Sequence, residues 1–160
     1  MSALSAALLY TVEFDNISIT NAAQDILTIA ASGSVPIKIV SWSLTFVPTI
    51  TSGVAQDVRA QIRALLRTTA GSGGTAITPA PLNSRLTTAA TGTYTRTVTT
   101  PGTASTVLRP YQPSIIYPFE KVFTEDQMPF IAAGTTWALN LEAGLGTAYN
   151  ASLEMIVAEF

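Results

Sequence analysis

Residues 56–69 read Gln-Asp-Val-Arg-Ala-Gln-Ile-Arg-Ala-Leu-Leu-Arg-Thr-Thr, and they fit two incompatible periods. Val58, Ile62, Leu65 and Leu66 recur at helical spacing. Val58, Ala60, Ile62, Ala64 and Leu66 recur at strand spacing, which puts Arg59, Gln61, Arg63 and Arg67 on the opposite face. A helix here makes a mixed α+β protein with a basic helix. A strand makes a central strand of an all-β domain. The segment decides the fold class, so its neighbours have to decide the segment.

Those neighbours alternate with period two. Val12 and Phe14 interleave with Glu13 and Asp15, and Asn16 interrupts the beat where a bulge is expected. Residues 25–31 read as a second strand. After the Ser32-Gly33-Ser34 turn, Pro36 opens a third. In it, Lys38, Val40, Trp42, Leu44 and Phe46 are expected on the core face, and Ile37, Ile39, Ser41, Ser43 and Thr45 on the other. Residues 48–53 are expected to form a loop. Residues 70–83 hold Gly71, Gly73, Gly74, Pro79 and Pro81 and read as a long loop with little regular structure.

Ten of the twenty residues 87–106 are threonine, yet Thr93, Thr95, Thr97 and Thr99 alternate with Tyr94, Arg96 and Val98. That pattern is a threonine ladder on one strand face rather than a linker. Pro110, Pro113 and Pro118 forbid a helix over 107–119. Trp137, Leu139 and Leu141 share one face of a strand, and Gly144 and Gly146 mark the turn after it. Leu153, Met155 and Val157 share a face of the last strand. About eight to ten short strands separated by turns predict a β-sandwich, with a jelly roll as the expected form. Context favours a strand for 56–69, although its Ala and Leu also fit a helix. The expected organisation is an N-terminal arm over 1–9 and one domain over 10–160.

The chain has no His and no Cys, which removes the commonest general base, thiolate chemistry and the commonest zinc ligands. Glu13 and Asp15 point from one strand face, as a glycosidase pair would, but so do the carboxylates of any solvent-facing strand. Glu125-Asp126 lacks a spaced calcium loop, and Gly71-Ser72-Gly73-Gly74 lacks the Lys-Ser/Thr of a phosphate loop. Trp42 and Trp137 sit on expected core faces, where packing is favoured over sugar stacking. The chain is expected to be no enzyme, with no cofactor, no metal and no small-molecule substrate. A net charge of −2 gives no general attraction to nucleic acid or anionic lipid, so neither is expected as a partner.

Charged residues make up only 11% of the chain, against about 25% in an ordinary soluble domain. Lys38 and Lys121 are its only lysines, so the usual charged guards of sheet edges are scarce. A neutral Thr/Ser/Ala surface of this kind is expected to be covered by copies of itself or by a larger lattice. Arg59, Arg63 and Arg67 are candidates for pairing with carboxylates of a neighbouring subunit.

The order of these pieces resembles the small capsid decoration (cement) proteins of tailed bacteriophages and prophages. The likeness rests on Glu13-Phe14-Asp15-Asn16, the strand from Asp25, and the Trp-bearing strand over 37–46. It continues through the Arg strand ending Leu66-Arg67-Thr68, then Gly73-Gly74-Thr75, Thr78-Pro79 and Pro81-Leu82-Asn83. It closes with Ala132-Ala133-Gly134 before the Trp137 strand, and with the short last strand bearing Glu159. The resemblance implies a β-sandwich or jelly roll on the head shell, often a homotrimer, that bridges major capsid proteins and performs no catalysis. It implies a protein of the virion capsid surface, made in the host bacterial cytoplasm. The expected contact segments are the arm with Leu4, Leu8 and Leu9, the 70–83 segment with Ile77, and the 107–119 segment with Tyr111, Ile115, Ile116 and Tyr117. A carbohydrate- or receptor-binding module of a fibre, spike or tail surface is the second reading, and a hydrolase a remote third.

Overall fold

The computed structural model describes residues 7–20, 22–48, 59–142 and 149–160. The described residues form twelve strands and no helix. They are β1 (Leu8–Ile19), β2 (Gln24–Ala30), β3 (Ile37–Pro48), β4 (Ile62–Arg67), β5 (Thr75–Ile77) and β6 (Ala80–Pro81), then β7 (Thr93–Val98), β8 (Ala104–Tyr111), β9 (Phe119–Val122), β10 (Phe130–Ile131), β11 (Thr136–Leu141) and β12 (Tyr149–Glu159). The ambiguous segment is therefore a strand over 62–67, and residues 56–58 lie outside the described part. So do Leu4, the 49–53 part of the expected loop, and Gly144 and Gly146.

Two antiparallel sheets pack face to face as a β-sandwich. The first runs β10-β3-β12-β1-β6, with β9 also on β3; the second runs β5-β7-β2-β11-β4-β8. The pairing is nested. The first strand pairs with the last, the second with the last but one, and β3 and β4 join the far sides of β12 and β11. β9 and β10 then add to β3, and β8 to β4.

The alternating apolar residues of both sheets meet between them. Val12, Trp42, Leu44, Leu153 and Met155 from the first sheet face Leu27, Ile29, Ile62, Trp137 and Leu139 from the second, all of them buried. Each such side chain stabilises the fold by about 1.5–3 kcal/mol relative to exposure.

Bulges adjust this pattern. Asp15 and Asn16 together oppose Ser152, and Asn16 takes a positive φ of 50°, so the expected interruption is a bulge. A second bulge, at Val40, corrects the reading of β3. Ser41 pairs with Ile156 but Ile39 pairs with Val157, so the strand changes faces at Val40. Ile37 and Ile39 are in the core, not outside it, while Val40 and Lys38 are half-buried.

Two further corrections concern segments read as irregular. Residues 70–83 carry β5 on the edge of the second sheet and β6 on the edge of the first. Leu8 and Leu9 are not a free arm but begin β1, paired with Glu159 and Ala158. Pro110 lies within β8, which it can do because β8 is an edge strand and needs no donor on its open side.

Candidate functional site

Among the described residues, no three His, Cys, Asp or Glu side chains converge as a metal site requires. The Glu13 and Asp15 carboxylates line an open trough of about 530 Å³ on the outer face of the first sheet, with Ser43, Thr45, Ser152 and Glu154. Asp15 accepts a hydrogen bond from the Ser152 hydroxyl. Glu13 stands directly opposite Glu154, a like-charge cross-strand pair that costs a few tenths of a kcal/mol. Both Trp rings are buried, so neither offers a stacking platform.

The feature that sets one region apart is the flank formed by β8, β9 and β10. These strands lie at the same side of the sandwich: the Tyr111 ring of β8 is 5.9 Å from Phe119 of β9, and both touch Trp42 at 5.2 and 5.0 Å. Six large apolar side chains are exposed along it: Val107, Leu108, Ile116, Tyr117, Val122 and Phe130. Tyr117 is 66% exposed and Val122 63%. β8 has a strand partner on one side only. Leu108 is an extra residue between the Ala64–Arg109 and Leu65–Val107 pairs, so this bulge leaves both Val107 and Leu108 exposed. The flank also carries cations. The Arg109 guanidinium lies 5.8 Å from the Phe123 ring and the Lys121 ammonium 5.5 Å from it.

The opposite flank is built by β1, β5 and β6. β6 pairs with β1 only at Tyr10 and Thr11. Beside that short pairing, Ala7, Leu8, Leu9, Leu82 and Leu86 line an apolar groove of about 260 Å³. Leu82 is 51% exposed, and its amide donates to the Leu9 carbonyl at 2.9 Å, which fixes the groove wall to β1.

The expected contact residues fall into three groups. Ile116 and Tyr117 are exposed on the first flank, and Leu8 and Leu9 line the groove on the second. Arg59 is exposed and donates to the Gln112 carbonyl, while Arg63 pairs with Glu142 at 2.6 Å with both side chains partly in solvent. Ile115 is buried in the core, and Tyr111 and Ile77 pack against it, so none of these presents a free apolar surface. Arg67 faces outward as its alternation predicts but is covered, with 6% of its side chain exposed. Val107, Leu108, Arg109, Lys121, Val122, Phe130, Leu82 and Leu86 were not anticipated. An adjacent apolar pair such as Val107-Leu108 breaks alternation, and that is its only signal in the sequence.

Arg67 belongs to a buried polar cluster. Its guanidinium grips the fully buried Asp25 carboxylate through both Nη2 and Nε, the latter at 3.2 Å, and donates to the Gly102 carbonyl at 2.6 Å. Asn140 Nδ2 donates to Asp25 at 2.8 Å and to the Gln24 carbonyl at 3.1 Å. A Cβ at Gly102 would stand 1.9 Å from the Thr69 carbonyl oxygen, so only glycine admits this approach. A second cluster surrounds Glu159, 3% exposed. It accepts from the Thr91 amide (2.8 Å) and hydroxyl (2.9 Å), the Gly92 amide (3.1 Å) and the Tyr94 hydroxyl (2.9 Å). Burial, then the nearby Glu159 charge, pushes the Tyr94 phenol far above its ordinary value. The same two causes raise Tyr10.

Compared with protein-family models, curated proteins and solved structures, the chain matches none.

Proposed function

We propose that the chain is a structural virion protein of the capsid-decoration (cement) kind, which self-associates and binds the major capsid protein lattice on the outside of a phage head. The observation that carries this reading is the β8–β10 flank, where an open edge strand and six exposed large apolar side chains share one side of the sandwich. Monomeric proteins rarely leave such a patch bare. Burying it is the mechanism: each Å² of apolar surface removed from water contributes about 25 cal/mol. A stable contact of about 1,600 Å² would draw on the whole flank. The low charge fits a surface that is mostly covered. The nested strand pairing supports describing the sandwich as a jelly roll, a form suited to close lateral packing in a shell.

The test is to mix purified protein with undecorated heads and follow co-sedimentation and the temperature at which the heads open. Saturable binding and a higher opening temperature are expected. Failure to bind heads, with binding instead to a glycan or a cell-surface receptor, would move the protein to a fibre or spike.

A further inference from the structure

We infer that two copies of this chain join head to tail, with the β8–β9 flank of one seated in the Leu8/Leu9/Leu82/Leu86 groove of the next. This rests on the assembly reading above and names its contact. The two surfaces stand at opposite flanks of the sandwich, since β9 and β10 lie on β3 at one end of the first sheet while β1 and β6 form the other end. Each surface matches the other twice over. One presents projecting apolar side chains, Leu108 and Tyr117 among them; the other presents an apolar groove of about 260 Å³. The first carries Arg109 and Lys121, and the second continues along β1 into the exposed carboxylates of Glu13 and Asp15. Apolar surface meets apolar surface, and cations meet anions.

Strand pairing across the contact is not required. Pro110 and the bulge at Leu108 spoil the β8 edge as a hydrogen-bonding template, so side chains rather than backbone make the joint. A contact between two different surfaces of one chain is heterologous. It closes into a ring if the rotation allows and otherwise runs on as a chain.

The experiment is sedimentation velocity on the full chain at about 100 µM, well above a dissociation constant of about 1 µM for a moderate interface. Two variants each disable one surface at exposed positions: Leu108→Asp with Tyr117→Asp on the flank, and Leu82→Asp in the groove. Circular dichroism and the melting temperature establish that both remain folded. The wild-type chain is expected to assemble, and each variant alone to weaken assembly at least tenfold. An equimolar mixture of the two is expected to form a one-to-one dimer and nothing larger, because it holds one intact flank and one intact groove. A mixture that stays monomeric, or variants that assemble as the wild type does, overturns the contact.

A wild-type chain that stays monomeric also overturns it. If that monomer assembles once residues 1–6 are removed, the groove belongs to the chain's own arm. Heads bound by a strictly monomeric protein would sink the head-to-tail contact and leave the virion reading standing. Self-assembly without head binding would do the reverse.

Discussion

Asp25 and Glu159 are both buried carboxylates at strand ends of one sandwich, and they are neutralised in different ways. Asp25 has a cation: Arg67 holds it with two donors and Asn140 adds a third. The donors that reach Glu159 are two backbone amides and two hydroxyls, all neutral. The two sites bracket the same element. Val98 at the end of β7 pairs with Asp25, and Arg67 reaches the Gly102 carbonyl just beyond it. Glu159 grips Thr91 and Gly92 just before β7 begins. The threonine-rich β7 buries only Tyr94 and Val98 in apolar surroundings. Polar anchors at its two ends supply what a normal strand obtains from burial. One anchor is an ion pair that fails whole; the other is a set of dipoles that can be weakened one bond at a time.

Removing one partner of the ion pair should have the largest effect. Arg67→Leu leaves Asp25 buried and unpaired, and a loss of about 3–5 kcal/mol is expected in urea unfolding. Replacing both, as Asp25→Leu with Arg67→Met, should recover most of that loss, because the uncompensated charge goes with its partner. A single variant within 1 kcal/mol of the wild type would mean that water reaches Asp25 in solution, and the contrast with Glu159 would collapse. By comparison, an exposed pair such as Arg63–Glu142 contributes about 0–1 kcal/mol.

Glu159→Gln comes next. It keeps the shape but turns an amide NH₂ toward groups that are themselves donors. About 1–3 kcal/mol should be lost, the cost of a buried donor left unsatisfied. For a chain of this size that is a fall of about 2–4 °C in Tm per kcal/mol. A Tm unchanged within error would show that the 88–92 segment does not need its anchor.

Neither anchor was legible in the sequence, and the reason is separation. Asp25 and Arg67 are 42 residues apart and Glu159 and Thr91 are 68, so no local pattern links them. What was legible was local. Alternation placed the core faces of β1, β11 and β12, and turn residues placed most boundaries. The same rule failed at Val40, because a bulge shifts alternation by one and leaves no mark in residue types. It also failed over 70–83, where Gly and Pro conceal two short edge strands whose side chains need not alternate. The reading of 56–69 as strand came from its neighbours, and β4 pairs with β11 and β8 in agreement. The β8–β10 flank was half legible. Ile116 and Tyr117 lay in a segment singled out for its prolines, but the exposure of Val107 and Leu108 follows from a bulge.

The smallest effect tests whether the Glu159 site is graded. Tyr94→Phe removes one of its four donors and should cost about 1 kcal/mol at pH 7. The same tyrosine adds a pH dependence with a definite sign. Its folded value is raised above the ordinary 10.0 of the unfolded chain, by burial first and by the Glu159 charge second. Below pH 10 both states keep the proton, and the contribution is fully present. Above it the unfolded chain releases the proton while the folded chain holds it, so stability falls by up to about 1.4 kcal/mol per pH unit. Tyr10 is raised for the same reasons and adds to the slope. Urea melts from pH 9 to 11 should therefore show a steeper decline for the wild type than for Tyr94→Phe. Parallel declines would mean that Tyr94 reaches solvent and donates nothing to Glu159. The carboxylate would then rest on the Thr91 and Gly92 donors alone, which would make the second anchor as brittle as the first.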